Sequence, residues 1–76
     1  MDIMNEIYEI IKDIDGLEGI DIKENDLLEE NIDSLSFIII LMKVEEKFNI
    51  EINEEDLSYE TFKTLKDIRD YVERIK

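Results

Sequence analysis

The chain has no cysteine, no histidine and only two glycines in its 76 residues. Without cysteine there can be no disulfide staple, thiolate metal site or thiol nucleophile. Without histidine the usual general base near neutral pH is missing. A self-contained enzyme would have to rely on a pair of carboxylates, which any acidic protein can offer. Basic residues are also scarce: 9 Lys and Arg stand against 22 Asp and Glu, for a net charge of −13. Such a surface repels phosphate backbones and anionic headgroups, which argues against nucleic-acid and membrane partners. It attracts proteins with basic patches, at rates that fall with added salt, and it also keeps a small domain soluble. Long apolar runs are missing too. The longest, Phe37 to Met42, is far too short to span a bilayer. Residues 1–14 show neither the positive start nor the unbroken apolar stretch of a signal peptide, so a cytoplasmic location is expected.

What is present reads as helix. A chain this short supplies one core, so residues 1–76 are expected to form a single domain, acting as a monomer. Ile3, Ile7, Ile10, Ile11 and Ile14 recur at helical spacing, widened by Met4 and Tyr8, and predict a first helix over roughly 2–14 that Gly16 ends. From Asp15 to Ile32 no period is sustained. A connection that long is plausible only if Leu17, Ile20, Ile22, Leu27, Leu28 and Ile32 tuck it against the helices, with Leu27-Leu28 a candidate helical turn. Asp13 and Asp15 hint at a calcium loop, but Gly16 comes too early and the closing glutamate is absent, so no metal site is expected. Ser34 to Phe48 predicts the second long helix, capped by Asp33. Its inner side is expected to carry Leu35, Ile38, Ile40, Leu41, Val44 and Phe48. Ile50 and Ile52 form a short extended connector. Glu54 to Tyr59 makes a short helix with Asn53 as its cap and Leu57 pointing inward. The last helix starts near Thr64, whose hydroxyl and Asp67 form a capping pair, and its stripe runs through Leu65, Ile68, Tyr71, Val72 and Ile75. The fold class is all-α: a small bundle of three long helices and one short one, with a long first loop.

The junction Asn31-Ile32-Asp33-Ser34-Leu35 carries the chemistry, because it sets one hydroxyl at the first turn of a helix. As a nucleophile Ser34 lacks a partner: there is no histidine, no lysine lies within a helical turn of it, and the glycines of a nucleophile elbow are missing. The position suits modification by another protein. A hydroxyl there is exposed, and the free N–H groups and dipole of the helix end stabilise an attached phosphate. Asp33 opposes that phosphate with like charge, but it can help hold the magnesium ion that accompanies a phosphate donor. The second helix is apolar almost all round, which a short chain cannot enclose. Some of Phe37, Ile39 and Met42 are therefore expected on the surface, as a docking strip beside the serine.

Asp33-Ser34-Leu35, with Ile38, Leu41-Met42, Val44-Glu45-Glu46-Lys47-Phe48, Ile50 and Ile52 after it, resembles the attachment motif and second helix of the acyl carrier protein family. Phe62-Lys63-Thr64-Leu65-Lys66-Asp67-Ile68 and Tyr71-Val72 are similar to that family's closing helix. The tripeptide alone is weak; joined to the length, acidity and helix order it becomes specific. The resemblance implies that a separate phosphopantetheinyl transferase moves 4′-phosphopantetheine from coenzyme A onto Ser34, flanked by Asp33 and Leu35. The arm's thiol then carries acyl groups as thioesters to loading and processing enzymes, in fatty-acid, polyketide or related synthesis. It also implies docking of those enzymes along the second helix, where Met42, Glu45 and Glu46 match the family pattern, and with the apolar strip the expected docking residues are Ser36, Phe37, Ile39, Met42, Glu45 and Glu46. Ser36 and Ile39 stand where many members have acids, so docking here is expected to be more apolar. Asn31 stands where glycine is common, as a residue tolerant of a left-handed turn. Two other readings stay open: an aminoacyl, peptidyl or D-alanyl carrier, and an acidic helical interaction module with no prosthetic group. Residues that would line a cargo space (Ile40, Ile52, Phe62, Ile68) are also needed for the core.

Overall fold

In a computed structural model, which describes residues 2–75, the chain is all-helical, with no strand among the described residues. Three long helices, α1 (Ile3–Lys12), α3 (Ser34–Phe48) and α4 (Leu65–Ile75), and one short helix, α2 (Leu28–Asn31), make a bundle of 29 × 27 × 21 Å. α1 packs against both α3 and α4.

α1 begins because Asp2 caps it: the carboxylate accepts the Met4 N–H at 3.1 Å and the Asn5 N–H at 3.5 Å. Met4, Ile7, Ile10 and Ile11 form the buried stripe. The helix stops at Lys12, earlier than the stripe predicts, yet Ile14 still reaches the core from the turn that follows. Gly16, at φ 92°, takes the left-handed conformation that turns the chain away.

The long connection is a strapped loop. Leu17 and Ile22 are buried and Ile20 is half-buried. Two backbone bonds tie the loop to the approach of the last helix, Leu28 N–H to the Lys63 carbonyl at 2.8 Å and Lys66 N–H to the Glu24 carbonyl at 3.1 Å. Arg69 reaches Glu24 at 3.7 Å. The candidate helical turn is realised as α2, which turns Leu28 inward and leaves the preceding Leu27 exposed, contrary to expectation. Asn31 closes α2, with its side-chain amide donating to the Leu27 carbonyl at 2.8 Å. Its expected left-handed turn does not occur; the one left-handed residue other than glycine among those described is Asn49, which ends α3 at φ 54°.

The inner arc of α3 is Phe37, Ile40, Leu41, Val44 and Phe48. This corrects the sequence expectation: Leu35 is 69% exposed and Ile38 half-buried, while Phe37 is 2% exposed. A helix apolar on nearly every side gives the period little to choose from, and the arc follows the bulky rings at its two ends, Phe37 and Phe48. After Asn49, Ile52 is buried and the Glu45 carboxylate accepts its N–H at 2.6 Å. Glu54–Asp56 is a single 3-10 turn, shorter than the helix expected there; Asn53 gives no side-chain cap and Leu57 is half-buried. α4 opens on the predicted capping pair: Asp67 N–H donates to the Thr64 hydroxyl at 3.3 Å, and the Asp67 carboxylate accepts the Thr64 N–H at 3.3 Å and the Lys63 N–H at 3.0 Å. Leu65, Ile68 and Val72 are buried and Phe62 packs beside them, with Tyr71 edge-on to its ring at 5.2 Å. Ile75 is 47% exposed, so the stripe fades in the last turn.

Candidate functional site

Ser34 is the first residue of α3 and is exposed. The reason is local. Asp33 is extended (φ −69°, ψ 162°) and its carboxylate accepts the Ser36 N–H at 3.3 Å, which starts the helix one residue later. Ser36, through its side chain first and its backbone N–H second, holds the Asp33 carboxyl below the usual carboxylate range, so Asp33 is ionised beside the hydroxyl. The first intrahelical backbone bond is Phe37 N–H to the Asp33 carbonyl at 2.9 Å, so the N–H groups of Ser34 and Leu35 lie ahead of the helix's own acceptors. The site is anchored three residues on, where Phe37 enters the core.

An open slot of about 290 Å³ lies against Ser34, lined by Phe37, Ile38, Leu57 and Tyr59 with Glu29, Ser58 and Glu60 at its polar edge. Tyr59 is stacked on Phe37, with centroids 4.3 Å apart and planes 27° from parallel. Its hydroxyl donates to the Ile32 carbonyl. Burial, and after it the Asp33 and Glu29 carboxylates, push the phenol's pKa up, so it remains a donor. No lysine or arginine lines this slot. Its charged side chains are the Glu29 and Glu60 carboxylates. The geometry provides an accessible hydroxyl with an ionised carboxylate next to it.

The structure separates the expected docking residues. Met42 is 58% exposed and Glu46 is exposed, while Ser36, Ile39 and Glu45 are half-buried. Phe37 is a core residue and offers no surface, because its ring fills the space beneath the helix start. Leu35, read as inward, joins Met42 on the outside instead. Glu45 is partly engaged already, since one of its oxygens braces Ile52. Among the described residues no three His, Asp or Glu side chains gather as a metal site, and no helix is long and apolar enough to cross a membrane. Sequence reasoning did not single out Tyr59. An aromatic residue in the otherwise polar stretch Ser58-Tyr59-Glu60-Thr61 was the available signal.

The chain matches the family model described as the phosphopantetheine attachment site over residues 5–72. It is 34% identical over 74 residues to an acyl carrier protein of Chlamydia caviae, covering 95% of this chain and 94% of that one. It is 35% identical over 74 residues to an acyl carrier protein of Phytoplasma mali, covering 95% and 86%. No solved structure matches at a significant level. With the all-helical bundle and a serine at the mouth of α3, these matches establish that the chain belongs to the acyl carrier protein family, whose members are carriers and not catalysts. Its cofactor is therefore a covalently attached 4′-phosphopantetheine, and the thiol that cysteine does not supply is brought in on that arm.

Proposed function

We propose that residues 1–76 form one carrier unit on which Ser34 receives the phosphopantetheine arm. The unit then presents acyl intermediates to the enzymes of fatty-acid, polyketide or related synthesis, as a cytoplasmic monomer. The observation that carries this reading is the Ser34 hydroxyl, exposed at the start of α3 next to the ionised Asp33 carboxylate. A hydroxyl so placed is well suited to receive a group and poorly suited to attack unaided. In the transfer, Ser34 Oγ gives its proton to a base on the transferase and forms the new P–O bond, while the adenosine bisphosphate half of coenzyme A leaves. The helix start at Ser34 would suit the resulting phosphodiester, and ionised Asp33 would help hold the magnesium that accompanies the donor. Once in place, the group supplies a thiol that holds acyl groups as thioesters.

Partner enzymes meet a strongly acidic protein. Leu35 and Met42, with Ser36, Ile39, Glu45 and Glu46 alongside, give α3 an apolar strip edged with carboxylates, which supports docking of partners that combine basic and apolar contacts. The test is intact mass. Incubation with coenzyme A, magnesium and a promiscuous phosphopantetheinyl transferase adds one arm to the wild type and none to Ser34→Ala. If a control carrier is modified and this chain is not, the reading fails and an acidic interaction module takes its place. Loading trials with acyl and aminoacyl donors then separate acyl from aminoacyl or D-alanyl carriage.

A further inference from the structure

α3 is the helix proposed to meet partner enzymes, yet it carries no net charge in a protein of net charge −13: Lys43 and Lys47 offset Glu45 and Glu46. The four are placed differently. A helix turns about 100° per residue, so Leu35, Ile39, Met42 and Glu46 fall along the outer crest of α3. Glu45 falls with Ser34 and Ile38 on one edge, and Lys43 and Lys47 fall on the other, towards α1. The contacts agree: Glu45 holds the Ile52 N–H, and Lys47 reaches Glu6 of α1 at 3.7 Å. Those contacts engage one charge of each sign. Left open on α3 are one cation and one anion, Lys43 and Glu46, both exposed and in no ion pair among the described residues. Lys43 and Lys47 are like charges four residues apart, which is unfavourable, and Glu6 offsets only the second. Beside Lys43 an open groove of about 540 Å³ runs between α3 and α1, lined from α1 by Ile10 and the exposed Lys12. Glu9 and Asp13 line it too, so the groove is of mixed sign and the position of each charge decides what it takes.

We propose that the enzyme surface fitting α3 is of mixed sign: an apolar contact on Leu35 and Met42, a cation on Glu46, and a carboxylate set over Lys43 at the mouth of the α1–α3 groove. This rests on the reading that Ser34 bears the arm and α3 receives the enzymes, and it adds an acidic element to the basic and apolar ones. The net charge draws basic proteins from a distance. At physiological salt that field fades within roughly 8 Å, so the side chains in contact choose among the arrivals. A uniformly basic patch laid along α3 sets a cation against Lys43 and loses affinity there. A patch with a carboxylate on that side satisfies the lysine. Lys43 and Ser34 lie on opposite edges of the crest, so the same carboxylate fixes which way round the partner sits relative to the serine.

The test uses the intact chain, isotopically labelled, and two synthetic helical peptides that share a leucine face and one lysine edge. The opposite edge carries glutamates in the mixed peptide and lysines in the basic one. Amide shifts report the site and the ratio of the two dissociation constants, for wild type, Lys43→Glu, Lys43→Ala and Lys66→Glu. Lys66 is exposed on α4, and its replacement changes the net charge as much as Lys43→Glu does. In the wild type the mixed peptide should shift the Met42, Lys43 and Lys47 amides. Lys43→Glu should move the ratio about threefold towards the basic peptide, the scale of an exposed ion pair made or broken. Lys43→Ala should move it the same way by less, and it decides the matter if the glutamate variant does not fold. Lys66→Glu reports the share due to net charge and should leave the ratio within about 1.5-fold. Equal responses at positions 43 and 66 overturn the proposal, as do shifts that miss α3 with both peptides. A dimer of the protein alone that Lys43→Glu dissolves would put a second copy on this face and overturns it too. Intact mass after treatment of the wild type with coenzyme A and a transferase reports on Ser34 alone, so its failure refutes the carrier reading and not the lysine edge.

Discussion

At the start of α4, Thr64 and Asp67 exchange hydrogen bonds, Asp67 also takes the Lys63 N–H, and the Glu24 carbonyl of the long loop takes the Lys66 N–H. At the start of α3, Asp33 takes the Ser36 N–H and the preceding turns leave Ser34 and Leu35 facing solvent. Both starts are good helix signals, and both keep a large apolar side chain close behind them, Leu65 in one case and Phe37 in the other. What separates them is what each leaves unused. The α4 start is closed and only holds the fold together. The α3 start keeps a hydroxyl available, on a turn fixed by the ring below it. A carrier needs that combination, because a modifying enzyme must find its target both reachable and rigid.

The comparison can be broken most completely at Ser34. Ser34→Ala should abolish phosphopantetheine addition, read by intact mass, while its melting temperature stays close to wild type because an exposed first-turn side chain has few contacts. Next comes the contrast between neighbours on the same turn. Phe37→Ala should cost about 3–5 kcal/mol in denaturant unfolding, whereas Leu35→Ala should lie within about 0.5 kcal/mol of wild type. Equal losses at the two positions would show that the inner arc has been placed wrongly. At the closed start, Asp67→Ala should cost about 1 kcal/mol and leave modification of Ser34 untouched, since the cap serves stability alone.

The smallest effect is a pH dependence. The Asp33 carboxyl is held low when folded, so its contribution to stability is complete above the ordinary carboxylate value and is lost as pH falls through the folded one. Asp33→Asn keeps a competent cap without the charge. The gap in melting temperature between wild type and Asp33→Asn should therefore shrink as the solution is acidified below the ordinary carboxylate range. A gap that widens there would reverse the assigned sign.

The sequence carried the helix order well because its signals were redundant. Asp2, Asp33 and the Thr64–Asp67 pair mark helix starts, and the stripes of α1 and α4 each leave a polar side to define them. α3 defeated the same reasoning. With Leu35, Phe37, Ile38, Ile39, Ile40, Leu41 and Met42 nearly consecutive, hydrophobicity gives no direction, and packing against the rest of the core sets which side is inner. That is why Phe37 moved from the expected docking strip into the core and Leu35 moved out. Ser34 was legible because local chain chemistry alone makes the helix mouth. Tyr59 was not, because its importance lies in partners 22 and 27 positions earlier in the chain, at Phe37 and Ile32, which no local pattern announces.

The bond between Glu45 and the Ile52 N–H has a consequence for traffic along α3. A cationic side chain arriving on a visiting enzyme would compete for an oxygen that already fastens the stretch after Asn49 to the helix. A contact made through Glu46 would leave that fastening intact, whereas one made through Glu45 would have to share the carboxylate with it.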